Sequence, residues 1–230
     1  MLKKYFRCLL ITLFLLSGNS IAADLSSFTN QQSITVLKDV LQQSATNSVG
    51  LLGQQGGFLN NPQVKIPLPG PLAQGEQILR MVGMGKQADQ LVVAMNQAAE
   101  AAVPLATGLI VNVIKKMSVA DAKAILSGGD DSATRYFRSK TEGTLHGKFL
   151  PIVTKKMNEV NLAQQYNALA GKVNSTGFLK GDNIKLENYV TQKTLDGLYL
   201  TMAEQEKSFR QNPVQAGTNL AKKLFESLRY

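Results

Sequence analysis

The side chains that could do chemistry are few in this chain of 230 residues. It contains one His, His146, and one Cys, Cys8. Glu142 and His146 are four residues apart, so on a helix they would face the same side. A metal site needs three or more ligands, and the sequence indicates no third ligand for this pair. The spacing therefore predicts a surface pair and no metal site.

Two arginines form a second candidate group. Arg135 and Arg138 lie three residues apart on a predicted helix, where they could clamp an anionic group near the helix start. The alternative is that they pair with Asp130, Asp131 or Asp121, which is the more ordinary outcome for neighbouring charges. Both interpretations stay open at the level of sequence.

The acidic pair before this helix has a simpler interpretation. Asp130 and Asp131 lack the further carboxylates that a calcium loop has at alternating positions. We therefore expect Asp130, Asp131 or Ser132 to cap the helix. Tyr136 follows within its first turns and is kept as a candidate for binding.

Asn96 and Glu100 share a face of a predicted apolar helix, again four residues apart. A buried Glu in that position would have a perturbed pKa and would mark a site. The alternative is that such residues line the polar side of the helix or bond to a neighbouring loop.

A Pro/Gly-rich connector, residues 51–71, separates the first helix from the next. Alternating prolines favour an extended course and exclude a helix here. The connector is either a recognition segment or a structured link with Val64, Ile66 and Leu68 pinned to the core, which we favour. Its candidate binding residues are Asn61, Pro62, Ile66, Pro67, Leu68 and Pro69.

Motifs of the common enzyme classes are absent from the sequence. It contains no GxSxG motif, no Walker A loop and no Rossmann fingerprint. It therefore predicts no cofactor and no catalytic residue. If the protein is instead an enzyme, the residues that could act in catalysis are Glu100, Asp130, Asp131, Arg135, Arg138 and His146, provided that the fold brings them together.

The N-terminus predicts export. Lys3, Lys4 and Arg7 precede an apolar run over residues 8–16, which is too short to span a bilayer, and small residues follow. We interpret residues 1–22 as a cleaved signal peptide, with cleavage after Ala22 or, alternatively, Ala23. Cleavage would leave 208 residues without Cys and lower the net charge from +9 to +6. We expect a periplasmic or secreted protein.

Apolar residues recur at a helical period along the rest of the chain, and no strand-like alternation extends over a useful length. The pattern predicts an all-α fold for residues 23–230, one compact domain of about seven to nine helices. We expect a kink or a break at Pro104, a helix start at Ser118 with Asp121 in a capping box, and a new helix start at Pro151.

Six ordered segments resemble the bacterial domain-of-unknown-function family 4197. They are NPQVKIPLP (61–69), MNQAAEAAVP (95–104), DAKAILSGGDDSATRYFR (121–138), KFLPIV (148–153), QQYNALAGK (164–172) and YVTQKTLDGLYL (189–200). The resemblance runs over about residues 35–225. It implies exported, mostly helical proteins of Gram-negative bacteria and no activity, ligand or catalytic residue.

The function that we expect is non-enzymatic binding of a protein partner or envelope component. The alternative is a carrier of an apolar small molecule or lipid in a helical cavity, suggested by Met81, Met84, Met95 and Met117. Dispersed lysine pairs argue against nucleic acid as a partner of an exported protein, and anionic lipid or glycolipid is a further option. We expect no membrane span after cleavage.

Overall fold

A computed structural model describes residues 30–175, 185–212 and 219–226. The predicted signal peptide lies outside these residues. So do residues 176–184 of the loop that Gly and Asn predict over 174–185, and both ends of the helix that the apolar pattern predicts over 214–230. The described residues form helices and the turns between them, with no strand. The predicted all-α fold is confirmed. The helices are α1 (Asn30–Gly53), α2 (Gly70–Gln74), α3 (Glu76–Met81), α4 (Gly85–Ala102), α5 (Ala106–Lys116), α6 (Val119–Leu126), α7 (Ser132–Glu159), α8 (Leu162–Ser175), α9 (Leu186–Gln211) and α10 (Asn219–Glu226).

Helix α4 lies at the centre of the fold because its small apolar residues allow close packing. Met95, Ala99 and Ala102 are fully buried, and α4 contacts α1, α3, α7, α8 and α9. The long helices α7 and α9 also pack against each other. One continuous apolar cluster extends from α1 to α10, so the elements that carry the candidate residues share one core.

The predicted break at Pro104 is confirmed. A short 3-10 turn, Val103–Leu105, separates α4 from α5, since proline cannot donate the backbone hydrogen bond that a continuous helix needs. Within the described residues, Gly85–Lys116 is also the stretch that contains an 18-residue window long and apolar enough to cross a membrane by length and composition. In the fold, Met95 of α4 and Ile110 of α5 are both core residues.

The predicted helix start at Ser118 is also confirmed. The Ser118 Oγ accepts a hydrogen bond from the Asp121 N–H at 3.1 Å, and the Asp121 Oδ2 accepts one from the Ser118 N–H at 3.0 Å. This reciprocal pair is a capping box in which Asp replaces the usual Glu or Gln.

The prediction of a new helix at Pro151 is wrong, because α7 continues through it to Glu159. Proline removes one helical hydrogen bond. The neighbouring residues Phe149 and Val153 are fully buried, and their packing outweighs that loss. The apolar pattern over residues 72–82 predicts one short helix, whereas the structure has two, α2 and α3, which meet at Gly75.

Candidate functional site: the pinned connector and the α7–α9 groove

Asn96 fastens the connector to the central helix. Its Oδ1 accepts the Ile66 N–H at 2.8 Å, and its Nδ2 donates to the Ile66 carbonyl at 2.9 Å. The same Nδ2 donates to the Val92 carbonyl at 2.7 Å. The amide thus pairs with both backbone groups of one fully buried residue, as a neighbouring strand would.

Glu100, one helical turn further along α4, holds the start of the connector. Its Oε1 accepts the N–H groups of Phe58 and Leu59, at 3.1 and 3.2 Å. The residue is only 7% exposed. A carboxylate that accepts two N–H groups makes stronger hydrogen bonds than a neutral acceptor would. Glu100 and Asn96 therefore act on the connector backbone, which is the loop-bonding alternative left open by the sequence.

The connector is shorter than predicted, because α1 extends to Gly53 and α2 begins at Gly70. It forms turns over residues 55–60 and 62–64, and its second half is two-faced. Val64, Ile66 and Leu68 are buried in the core, whereas Lys65 and Pro67 between them are exposed. This confirms the interpretation of a structured link with three pinned apolar residues.

Further contacts fix both ends of the connector's exposed edge, which consists of Pro62, Lys65 and Pro67. The Tyr189 hydroxyl of α9 donates to the Pro67 carbonyl at 3.1 Å. The Asn61 Oδ1 accepts the Gln63 N–H at 3.1 Å, which closes a tight turn. Pro62 is exposed beside this turn, and Pro69 is buried.

A groove of about 580 Å³ lies between the connector and helices α3 and α4. Its apolar lining comes from Leu59, Leu68, Val92 and Val93, together with the prolines at 62 and 67. Charged residues at its rim are Lys65, Glu76, Arg80 and Asp89. Arg80 bonds to both acids, at 2.7 Å to Glu76 and 2.8 Å to Asp89.

The start of α7 is capped by a residue from another helix. Glu206 of α9 is 5% exposed. Its Oε1 accepts the Ala133 N–H at 2.9 Å, and its Oε2 accepts the Thr134 N–H at 2.9 Å. The predicted cap by the preceding acidic pair or by the serine is wrong: Asp131 occupies the N-cap position without a side-chain cap bond. A carboxylate at a helix N-terminus is also favoured by the helix dipole.

Arg210 completes this junction one turn after Glu206. Its Nη2 donates to the Glu206 Oε1 at 3.0 Å, to the Ile125 carbonyl at 2.8 Å and to the Ser132 Oγ at 2.8 Å. The end of α6 and the start of α7 are thus both tied to α9.

The two candidate arginines have different partners. Arg135 pairs with Asp131 at 3.0 Å, as the ion-pair alternative proposed. Arg138 instead pairs with Glu142 at 2.9 Å and with Asp196 of α9 at 3.0 Å. The hydrogen bond from Arg138 lowers the pKa of Glu142 from its ordinary value.

Tyr199 lies beneath the Arg138 guanidinium, whose carbon is 5.4 Å from the ring centroid. The Tyr199 hydroxyl is hydrogen-bonded to the Thr141 hydroxyl at 2.7 Å. Burial raises the pKa of Tyr199 to about 12, because the phenolate would lose its hydration. The Gln192 side-chain amide donates to Glu142 and to Asp196 and completes a polar network between α7 and α9.

A second groove, of about 380 Å³, adjoins this network. Its lining brings together three of the predicted candidates, Asp131, Arg135 and Arg138, with Asp196 and Tyr199. The two arginines and the two aspartates of this lining balance each other in charge. The charge of the lining therefore gives no preference for an anion over a cation.

The remaining candidates lie elsewhere. Tyr136 faces α6, where the carboxylate of Asp121 lies beside its hydroxyl and the Lys140 Nζ is 5.8 Å from its ring centroid. Burial raises the pKa of Tyr136, and the charge of Asp121 adds to that shift. Asp130 is exposed.

The methionines proposed for a ligand cavity are dispersed in depth. Met95 and Met117 belong to the core, whereas Met81 is exposed. None of these methionines, nor Met84, lines either groove. Among the described residues, no three of His, Cys, Asp and Glu are grouped so that they could hold a metal ion.

Sequence reasoning missed Glu206, Arg210, Asp196 and Tyr199. Glu206 and Arg210 had a detectable signal, an acid and a base four residues apart on a predicted helix. Nothing in the sequence near residue 206 indicates that the carboxylate reaches the start of α7. That contact depends on how α7 and α9 pack.

Comparison with known proteins gives a family and no activity. The family described as "Protein of unknown function (DUF4197)" matches residues 27–226, most of the chain. The chain belongs to this family. The resemblance drawn from the six segments is thereby confirmed. No curated protein and no solved structure matches the chain.

Proposed function

We propose that this DUF4197 protein is an exported, non-enzymatic component of the bacterial cell envelope that binds a protein partner along its connector. The proposal rests on one observation: the buried polar side chains bind backbone groups of neighbouring segments. Asn96 and Glu100 hold connector backbone, and Glu206 holds the start of α7. None of these three lines the connector groove or the α7–α9 groove.

The hydrogen bonds with Asn96, Glu100 and Tyr189 hold the connector in place, so its exposed edge is rigid. Pro62, Lys65 and Pro67 stand on a backbone that α4 and α9 fix from the inner side. A preorganised segment loses less conformational entropy when a partner binds it. The apolar groove beside this edge offers a place for a partner's side chain, as small pockets do at the centres of protein interfaces.

Site-specific photocrosslinking in the cell tests this proposal. A photoreactive amino acid at position 62 or 65 samples the edge, and the same amino acid at the exposed Lys207 of α9 is the matched control. We expect a discrete adduct of higher mass from the two connector positions and none from position 207. Identical adducts from all three positions, or no adduct from any, would refute the connector as a binding surface.

The location is part of the proposal and has its own support. The basic start, apolar run and small residues over residues 1–23 are typical of an export signal. The apolar stretch Gly85–Lys116 is interrupted by the turn at Pro104 and contributes to the core, which favours a core role over a membrane span. Cell fractionation with N-terminal sequencing tests this point: we expect a periplasmic chain that starts at Ala23 or Asp24. A cytoplasmic chain that starts at Met1 would contradict it.

A further inference from the structure

Three exposed lysines flank an exposed aliphatic side chain in the sequence that joins the end of α5 to α6. Lys115 and Lys116 end α5 and are exposed. Val119, at the start of α6, is 48% exposed. Lys123 lies four residues after Val119 and therefore on the same side of α6. We call Lys38, Lys115, Lys116, Val119 and Lys123 the basic corner.

Lys38 joins the corner from another helix. Its Nζ donates to the Lys115 carbonyl at 3.2 Å, which places a third ammonium group at the C-terminal end of α5. The negative end of the α5 dipole favours cations there. None of the four lysines forms an ion pair with an acid among the described residues.

Carboxylates are scarce in the sequence next to these lysines. Asp121 is the single acid between residues 101 and 129. Its carboxylate accepts the Ser118 N–H and hydroxyl, at 3.0 and 2.7 Å, and so faces the helix start. Asp39, exposed next to Lys38 on α1, is the other neighbouring acid in sequence. Four lysines against two acids leave an excess of positive charge.

We propose that the basic corner is a contact surface for a membrane with anionic phospholipid headgroups. Charge complementarity identifies the occupant: lysines near a bilayer gain from its negative surface potential, and an exposed aliphatic side chain among them can enter the headgroup region. This surface is separate in sequence from the connector edge. The inference extends the proposed function by a second contact and does not depend on it.

Vesicle co-sedimentation tests the inference. The assay uses the full-length protein as processed by the cells that express it, and mass spectrometry identifies its N-terminus. The probes are vesicles with phosphatidylglycerol and vesicles of phosphatidylcholine alone. We expect binding to the first at low salt, little to the second, and weaker binding as the salt concentration rises. Absence of binding to the anionic vesicles overturns the inference.

Charge-matched variants then test the place of contact. Replacing Lys115 and Lys116 by Gln should weaken binding about 25-fold, from about fivefold for each lysine at the surface. The control, Lys148→Gln with Lys155→Gln, removes the same charge from exposed positions on α7 and should change binding less than threefold (roughly the effect of net charge alone). Equal losses in both double variants would overturn the basic corner as the site.

A third variant removes the dependence on the lysine pair. Val119→Asp places an acid in the first turn of α6, where the helix dipole tolerates it, and puts a negative charge at the centre of the corner. We expect vesicle binding to fall while circular dichroism stays unchanged. Binding that persists at full strength in this folded variant would count against the inference.

Discussion

The hydrogen bonds between Asn96 and Ile66 give the sharpest prediction of this structure. In Asn96→Ala, the Ile66 N–H and carbonyl both lose their side-chain partner, at a residue with 0% exposure. A buried backbone group without a partner costs about 1–3 kcal/mol. The Val92 carbonyl loses only an additional donor, because it remains within the α4 helix.

The expected total is a loss of about 2–4 kcal/mol in the free energy of unfolding, since partial opening of the connector lets water reach the freed groups. Denaturant unfolding followed by circular dichroism measures this loss. Hydrogen exchange of the Ile66 amide measures the local opening directly. We expect a large gain in its exchange rate, with much smaller gains for amides in the middle of α7.

The matched control is Asn112→Ala, which removes the same side chain from an exposed position on α5. It should change stability by less than about 0.5 kcal/mol. If Asn96→Ala lies within 1 kcal/mol of the parent chain (about the lower limit for one unpaired buried group) and the Ile66 amide stays protected, Asn96 does not hold the connector. Crosslinking from the connector should fall in the same variant.

Two further substitutions, each with a matched control, and one titration test the packing around the site. Glu206→Ala should lose about 3–5 kcal/mol of unfolding free energy, because two backbone N–H groups lose their acceptor and the partly buried Arg210 loses its carboxylate while keeping its bonds to Ile125 and Ser132. Glu204→Ala on the same helix should lose less than about 1 kcal/mol, and equal losses would contradict the cap. Gly197→Ala should lose about 1–3 kcal/mol of unfolding free energy, because its Cβ would lie 2.7 Å from a ring carbon of Phe58 in the connector. Its control, Gly143→Ala, has open space around it and should gain up to about 1 kcal/mol. A gain in both variants would count against tight packing at Gly197. The raised pKa of Tyr199, about 12, means that its contribution to stability is complete below pH 10, its ordinary pKa, and is lost as the pH rises through the folded-state value. Compared with the parent chain, Tyr199→Phe should lose a phenolate transition near pH 12 in an ultraviolet titration, and loss of a transition near pH 10 instead would contradict the burial.

Local signals predicted the local breaks of the fold. Pro104 and the Ser118–Asp121 box act through backbone groups within four residues of themselves, so the sequence contains all that is needed to find them. The alternation of Val64, Ile66 and Leu68 likewise predicted which face of the connector is buried.

The errors arise where distant packing decides the outcome. Pro151 disfavours a continuous helix locally, but the buried residues on either side stabilise α7 through their contacts with other helices. Asp131 has the type and position of a cap, yet a carboxylate from α9 already occupies the N–H groups that it would bind. Both outcomes depend on residues that are remote in sequence.

The candidate binding residues divide in the same way. The shared face of Asn96 and Glu100 follows from their spacing, whereas their pairing with the connector requires the path of residues 58–66 across α4. Arg138 was expected to pair with acids before it in sequence. It pairs with Asp196 because α9 packs beside α7, a juxtaposition that no local pattern contains.

The cap that Glu206 provides has a consequence for the order in which the chain can fold. The first turn of α7 obtains its acceptor from a residue more than 70 positions later, so during synthesis this junction stays incomplete until nearly the whole protein has emerged. We therefore expect the nascent chain to remain loosely structured until late. Such a delay would suit the export that we propose, in which the chain crosses a membrane before it folds.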